Sequence, residues 1–360
     1  MKLRSLVLLL LVLTAVNVSA RRRSVRVPST GWSVPQCAQV TGFPSVALSL
    51  DGGTTVLPHA ERADDLQVYT FGLALTNEPD RMLAVTGRLL LESNDAGCSW
   101  EPSGIALPNP GYELVRAPGA VWAWSRLGGE LYRIAGETTQ RTAPVPLPIA
   151  FFADREQANV LATADDQGAI WFSDDAGETW SLVANAPARA PFYAVEFGPR
   201  TRMHIVATGL ADGARVTFDG GANWIESAGL TGWNVFSVAI SPLDDNVVWA
   251  LGLDPKEPGR VRRAIFRSND GGRTFLRVLT ESSEVDLYNG MLLFPSPLDA
   301  SIVYFALPGT TLFAVDDTGA IRARTTLPYR DVNAMAFSPA SPRVMYFGLK
   351  LSNMSAAAAR

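Results

Sequence analysis

The stretch SDDAGETW at 173–180 decides the reading of this chain. Its form is Ser/Thr-x-Asp-x-Gly-x-Thr/Ser/Asn-Trp/Phe. The same form returns as SNDAGCSW at 93–100, TFDGGANW at 217–224 and SNDGGRTF at 268–275. A weaker copy, SLDGGTTV, stands at 49–56, and a degenerate one, VDDTGAI, at 315–321. The aspartates of these six copies are Asp51, Asp95, Asp175, Asp219, Asp270 and Asp317, separated by 44, 80, 44, 51 and 47 residues. The interval of 80 holds two units, and the second has decayed to GELYRIAGETTQ at 129–140, where the aspartate is gone. Seven units of roughly 40 to 50 residues result, the period of four-stranded propeller blades.

The sequence between boxes fits that period. NVFSVAISPLDDNVVWALGL (234–253) and RAIFRSNDGGRTFLRVL (263–279) read as four short strands, rich in β-branched and aromatic residues and broken by Pro, Asp and Gly. The same order recurs at 193–229 and 291–319. No long stretch has helical periodicity once the first twenty residues are set aside. The C-terminal segment 332–350 supplies two strands with no box after them, and 45–59 supplies a box with no inner strands before it. Each is half a blade. Joined, they close the ring and leave no open sheet edge at the seam. The expected fold is therefore all-β, a seven-bladed propeller of four-stranded antiparallel blades whose last blade is shared between the chain ends.

A repeated acid, hydroxyl and aromatic suggests catalysis, but physical chemistry favours a turn staple. The aspartate accepts hydrogen bonds from nearby backbone N–H groups, and the hydroxyl adds another local bond. The glycine takes a left-handed backbone conformation without steric cost. Trp100, Trp180 and Trp224 are expected to pack between neighbouring sheets. No box has the dense oxygen spacing of a calcium loop, and no metal or other cofactor is expected.

These boxes, with phrases such as SPLDDNVVWALG, resemble the Asp-box propellers, the bacterial neuraminidase repeat superfamily. Its members include sialidases, two-propeller xyloglucanases, sortilin-type receptors and photosystem II assembly factors. The resemblance spans nearly all of 45–350 and implies the blade far more sharply than an activity. A single exported seven-bladed propeller is most similar to the assembly-factor branch. The resemblance makes a glycosidase of sialidase or xyloglucanase type the alternative to a binding module. The nearest string to the sialidase arginine motif is YRIA, Tyr132–Ala135. It lacks the proline and falls in the decayed repeat. A xyloglucanase-like pair of carboxylates would need a cleft between two propellers, and this chain has length for one.

Other chemistries find little support. The two histidines, His59 and His204, make a His-rich zinc site or a Ser-His-Asp triad improbable. The chain has 31 Lys plus Arg against 35 Asp plus Glu, an acidic balance that argues against nucleic acid. Lys2 and Arg4, the apolar run Ser5–Val16 and Val18-Ser19-Ala20 read as a secretory signal with its cleavage site. An uncleaved anchor is the other reading of the same residues. The expected organisation is a signal at 1–20, an arm at 21–44, the propeller at 45–350 and a tail at 351–360. No later segment is long and apolar enough to span a bilayer, so a periplasmic or extracellular location is expected. There, Cys37 and Cys98 can form one bridge or remain two thiols.

Propellers bind through the loops that carry the outer strand of one blade to the inner strand of the next. Those loops include ALPNPGY (106–112), LTGWN (230–234), ESSEVDLYN (281–289) and LPYRD (327–331), joined by the charged DPKEPGRVRR (254–263). The candidate contact residues are Tyr112, Trp233, Tyr288, Tyr329, Arg262, Arg263 and Arg330, of the types enriched at hot spots. The expected partner is a protein or a carbohydrate.

Overall fold

The computed structural model describes residues 31–61, 69–87, 89–108, 110–126, 128–142, 147–185, 191–256, 262–307, 311–327 and 331–350. The expected secretory signal, Tyr329, Arg330 and the C-terminal tail lie outside them. The described residues form strands, with no helix among them.

The first strand, β1 (Val46–Ser49), belongs to the last blade. Blade I follows as β2 (Thr70–Leu75), β3 (Met82–Thr86), β4 (Leu89–Ser93) and β5 (Glu101–Ala106). Blade II is β6 (Tyr112–Ala117), β7 (Ala120–Ser125), β8 (Gly128–Ala135) and β9 (Thr138–Arg141). Blade III is β10 (Pro148–Ala153), β11 (Leu161–Asp165), β12 (Ala169–Ser173) and β13 (Ser181–Asn185). Blade IV is β14 (Phe192–Gly198), β15 (Thr201–Gly209), β16 (Gly213–Thr217) and β17 (Ile225–Glu226). Blade V is β18 (Asn234–Ile240), β19 (Val248–Leu253), β20 (Arg263–Ser268) and β21 (Leu276–Thr280). Blade VI is β22 (Phe294–Pro295), β23 (Ile302–Leu307), β24 (Thr311–Asp316) and β25 (Ile321–Thr326). The seventh blade takes β26 (Asp331–Phe337) and β27 (Met345–Lys350) from the C-terminal region and β1 as its third strand.

Each blade is an antiparallel meander, so hydrophobic residues on both faces of its strands meet the neighbouring blades. Between blades III and IV, Phe152, Ala162 and Ile170 pack on Val195, Phe197 and Ile205. Between V and VI, Trp249, Leu251 and Ile265 pack on Val303, Phe305 and Phe313. The core is thus a ring of sandwiched interfaces rather than one central mass. Inner strands β2, β10, β14, β18 and β26 each carry a register shift one or two residues from their start. Such bulges bend a strand and increase its twist, which suits sheets fanned around one axis.

The seam is antiparallel, with Val46 opposite Gly348 and Ser49 opposite Met345. The chain then turns through the Asp51 box, and Leu57 N–H donates to the Leu48 carbonyl at 2.8 Å. This return run takes the fourth position with a single ladder bond, so the seam sheet counts three strands where four were expected. The closed blade is locked onto blade I by Tyr346, fully buried, whose hydroxyl donates to the Ala96 carbonyl at 2.9 Å. Its ring passes over Gly97, where a Cβ would lie 2.6 Å from Cε1. Ahead of β1, the arm is tied to blade I. Cys37 and Cys98 form a disulfide with their Cα atoms 5.8 Å apart, and beside it Thr41 N–H donates to the Cys98 carbonyl while Trp100 N–H donates to the Thr41 carbonyl.

Candidate functional site at the channel mouth

The Asp boxes occupy the turns from third to fourth strand. In blade III, Ser173 Oγ donates to Asp175 Oδ1 at 2.8 Å and accepts the Gly177 N–H at 2.8 Å. Asp175 also accepts the Thr179 N–H at 2.9 Å and the Thr179 hydroxyl at 2.5 Å. Asp219 does the same with Thr217 and Asn223, and Asp51, Asp95 and Asp270 with their own hydroxyl and amide partners. The Thr179 bonds, then that from Ser173, hold the Asp175 carboxyl at a pKa of about 2. Asn223 and Thr217 hold Asp219 at about 2 in the same way. In Asp51, Asp95, Asp175 and Asp219 both carboxylate oxygens are thus committed to the turn. Trp100 and Trp180 each donate from Nε1 to the box glycine carbonyl at 3.2 Å, while Trp224 packs against the blade III–IV core.

One position needs correction. In VDDTGAI the turn is held by Asp316, not Asp317. Asp316 Oδ1 accepts the Thr318 N–H at 3.0 Å and the Ala320 N–H at 2.9 Å, and Arg322 caps Oδ2. The blade VI turn is shorter than a full box, so the acid that ends the strand, rather than the one beyond it, reaches the amides. In the decayed repeat of blade II the box is replaced by a tight hairpin at Gly136-Glu137, between β8 and β9.

The described members of the expected contact set, Tyr112, Trp233, Arg262, Arg263 and Tyr288, have different surroundings. Tyr112 is fully buried at the start of β6, edge-on to Tyr132 at 5.7 Å, which removes it from any contact surface. Tyr288 packs on the blade V–VI core and donates its hydroxyl to Asp331. Arg263 bonds Asn289 at 2.7 Å and pairs with Glu281 at 3.2 Å. Trp233 is half-buried, edge-on to Phe266 at 4.8 Å with the Arg277 guanidinium 5.1 Å from its ring centre. Arg262 is exposed. Arg133, in the YRIA string, lies on a third strand away from the inner strands. His59 is held by the Val46 carbonyl, and His204 is buried, bonded to the Gly271 carbonyl and stacked on Phe218.

A concavity lies instead on the Asp-box side of the ring. A cavity of about 640 Å³ opens where the inner strands end and turn into the second strands. Its apolar wall includes Leu75, Phe151, Phe197, Ile240 and Phe337. The turns that shape its mouth carry a second repeated staple. Thr76, Asp154, Ser241, Ser296 and Ser338 each accept, through the side chain, the N–H two residues on, at 2.8–3.3 Å. The residue after the staple is proline in blades V, VI and VII, as Pro242, Pro297 and Pro339. In blade I it is Asn77, and in blade III it is Arg155.

Those two departures bring polar groups to the cavity. Asn77 Nδ2 donates to the Ala117 carbonyl at 2.5 Å, and its Oδ1 accepts Arg116 Nε–H at 3.0 Å. Both Arg116 and Arg155 line the cavity, with Glu196 on its wall from β14. Desolvation, then repulsion from Arg155, lowers the Arg116 pKa; desolvation, then Arg200, lowers that of Arg155. Desolvation by the surrounding wall, then repulsion from Glu113, raises the Glu196 pKa to about 8. Glu113 itself pairs with Arg126 at 3.3 Å. Aligning the blades on the turn after each inner strand would have exposed Asn77 and Arg155 as exceptions to a proline position.

Residues 171–182 match the BNR/Asp-box repeat family model. Across the whole chain, the dispase autolysis-inducing protein of Streptomyces mobaraensis is 33% identical over 364 residues, covering 89% of this chain and 91% of the relative. The chain belongs to that protein's family. Among solved structures, YCF48 from Cyanidioschyzon merolae superposes with a TM-score of 0.57 at 15% identity, covering 78% of this chain and 95% of that one. A structure of YCF48 bound to D1 peptide gives 0.54 at 14% identity, covering 87% of this chain and 100% of that one. The GH74 enzyme of Niastella koreensis gives 0.50 at 16% identity, covering 72% of this chain and 40% of that one. These likenesses carry the propeller fold, as the Asp-box resemblance implied, and the family membership rests on the full-length relative.

Proposed function

We propose that this chain is an exported, non-catalytic binding module that engages a protein partner, and that the partner is a protease whose self-digestion it promotes. The observation that carries this reading is the 33% identity, over nearly the full length of both chains, to a protein named for inducing dispase autolysis. The structure is compatible with a module that binds without cleaving. The box acids and hydroxyls are bound up in turns, and among the described residues no three His, Cys, Asp or Glu side chains converge as a metal site. That YCF48 has been solved with a peptide shows that a propeller of this fold can accept polypeptide.

The test mixes the pure mature chain with active dispase and follows intact protease by gel and mass spectrometry. Intact dispase should disappear faster, in proportion to added chain, and dispase with its activity blocked should remain whole. Unchanged dispase lifetime would refute the partner. Cleavage of blocked dispase would refute the non-catalytic role. Under the same conditions no turnover of sialosides or β-glucans is expected; robust turnover would install the glycosidase alternative. Export is tested by sequencing the mature N-terminus from the culture medium of the source organism, where Arg21 should come first.

A further inference from the structure

The Asp-box mouth of the channel has features the protease reading does not use. Arg116, whose Nε donates to Asn77 Oδ1, lines the mouth. Arg155 stands where neighbouring blades carry proline. Among the described residues no carboxylate oxygen lies within 4.0 Å of either guanidinium, and Arg155 feels Asp245 and Glu196 only at longer range. The two guanidiniums are exposed at the mouth and repel each other beside an apolar wall. An anion with an apolar body suits this arrangement, because guanidinium forks match carboxylate geometry and the wall buries the rest.

We infer that this mouth is a binding site for a small amphipathic monocarboxylate, its carboxylate on Arg116 and Arg155 and its apolar part along Phe151, Phe197, Ile240 and Phe337. Asn77 is a positioning residue for Arg116. The site needs no protease partner, so it stands or falls apart from the proposed function.

Glu196 sets its pH dependence. The groups that face this carboxyl are Glu113 and Arg126 from blade II and Arg155 from blade III. The strands packed on either side of β14, Pro148–Ala153 and Asn234–Ile240, carry no charged residue. Below its pKa of about 8, Glu196 is mostly neutral and the mouth keeps the net positive charge of its arginines. Above it, Glu196 gains a negative charge inside the cavity. Arg155 is then partly neutralised and an anionic ligand is repelled.

The experiment is calorimetric titration of the mature chain with octanoate at pH 6.5 and pH 9.5, with octan-1-ol as the neutral probe. Octanoate should bind at pH 6.5 and at least about tenfold more weakly at pH 9.5, while octanol binds at least about tenfold more weakly than octanoate at pH 6.5. Arg155→Gln should lose octanoate at both pH values, and Glu196→Gln should retain it at both. Thermal melts confirm that each variant is folded. A short peptide ending in leucine, with free and amidated C-termini, tests the source of the carboxylate. The proposal is overturned by equal binding of octanol and octanoate, by no octanoate binding at pH 6.5, by unchanged affinity in folded Arg155→Gln, by a pH dependence that survives in Glu196→Gln, or by binding of the free-ended peptide in place of octanoate.

Discussion

At the rim of the ring, five turns repeat one set of bonds: a buried hydroxyl, an aspartate, a left-handed pair of residues and an amide four positions from the acid. At the hub, the inner strands end in turns of equally regular geometry but present different side chains, proline in some blades, Asn77 and Arg155 in others. The rim uses its polar groups on itself. The hub leaves Arg116, Arg155 and Glu196 facing a cavity. Repetition therefore marks what holds the ring, and departure from repetition marks what is free to bind. The strongest way to break the contrast is to open the ring. A chain ending at residue 330 loses β26 and β27 and leaves β1 without its partner strand. It exposes Leu48, Ala47 and the face of blade I that Tyr346 covers. This chain should aggregate or be digested rapidly, whereas one ending at 351 should melt cooperatively like the full chain. Limited proteolysis and calorimetry separate the two. A cooperative melt of the 330-residue chain would contradict closure by the seam.

The second largest effect is expected at the arm. Cys37 and Cys98 are 61 residues apart, and their bridge ties the arm to the box of blade I. Replacing both by serine should cost about 2–4 kcal/mol by the loop-closure argument. The loss should appear as a lower midpoint in denaturant, with a steeper slope because the unbridged denatured chain is more expanded. An unchanged midpoint would mean that the backbone bonds of Thr41 to Cys98 and Trp100 hold the arm by themselves.

The third test asks which atom of the staple matters. Ser173 is buried and Asp175 is not fully so. Removing the Ser173 hydroxyl leaves the Gly177 N–H without its acceptor inside the turn. Ser173→Ala should therefore destabilise the chain by about 1–3 kcal/mol. It should leave octanoate binding at the hub unchanged. Lost binding at unchanged stability would remove the division between rim and hub.

What could be read from sequence follows the same division. The boxes showed the blade count, because Asp, Gly and a hydroxyl at fixed spacing serve a local turn whose partners lie within four residues. Seam closure was legible because a box with no inner strands and inner strands with no box are complementary. The hub was not legible that way. Arg116, Arg155 and Glu196 are about 40 residues apart in sequence and meet only when three blades are fanned round an axis. Tyr112 was read as a loop residue because a Pro-Gly pair precedes it. Pairing with Ser125 draws it into β6, beneath Tyr132. The blade VI acid was displaced by one residue because a shortened turn moves the amides it must reach.

Acid and alkali should separate rim from hub. The carboxyls of Asp175, Asp219 and Asp316 are held at about 2, below their unfolded values near 4. A depressed folded pKa contributes stability that is present above the unfolded value and lost as pH falls through the folded one. The rim should therefore weaken between about pH 4 and pH 2. Glu196 is the reverse, raised to about 8. Its contribution is complete below its unfolded value and is lost as pH rises toward 8. Glu196→Gln should melt at the same temperature as the parent near pH 4 and at a higher one at pH 9, while its acid limb is unchanged. A parallel shift at both ends would place Glu196 in the structural class with the box aspartates.

The smallest expected effect concerns backbone strain inside the staple. The two residues after the aspartate of each of the five full boxes lie in the left-handed region. In blade III these are Ala176 at φ 57° and Gly177 at φ 83°; in blade V they are Gly271 at 74° and Gly272 at 96°. An alanine there is crowded at its Cβ by about 1–2 kcal/mol relative to the right-handed region. Ala176→Gly removes that strain, but it also frees the unfolded chain and deletes a methyl group at the edge of the blade II–III core. The opposing terms are each about 1 kcal/mol, so the variant should gain no more than about 0.5 kcal/mol. The reciprocal change differs in sign. In Gly271→Ala the new Cβ would lie 2.9 Å from the Phe218 ring, itself stacked on His204, so strain and crowding add. That variant should lose about 1–3 kcal/mol. Paired thermal melts decide the matter. If Gly271→Ala were neutral, or Ala176→Gly clearly destabilising, the two boxes would not share one backbone geometry, and the rim would be less uniform than its hydrogen bonds indicate.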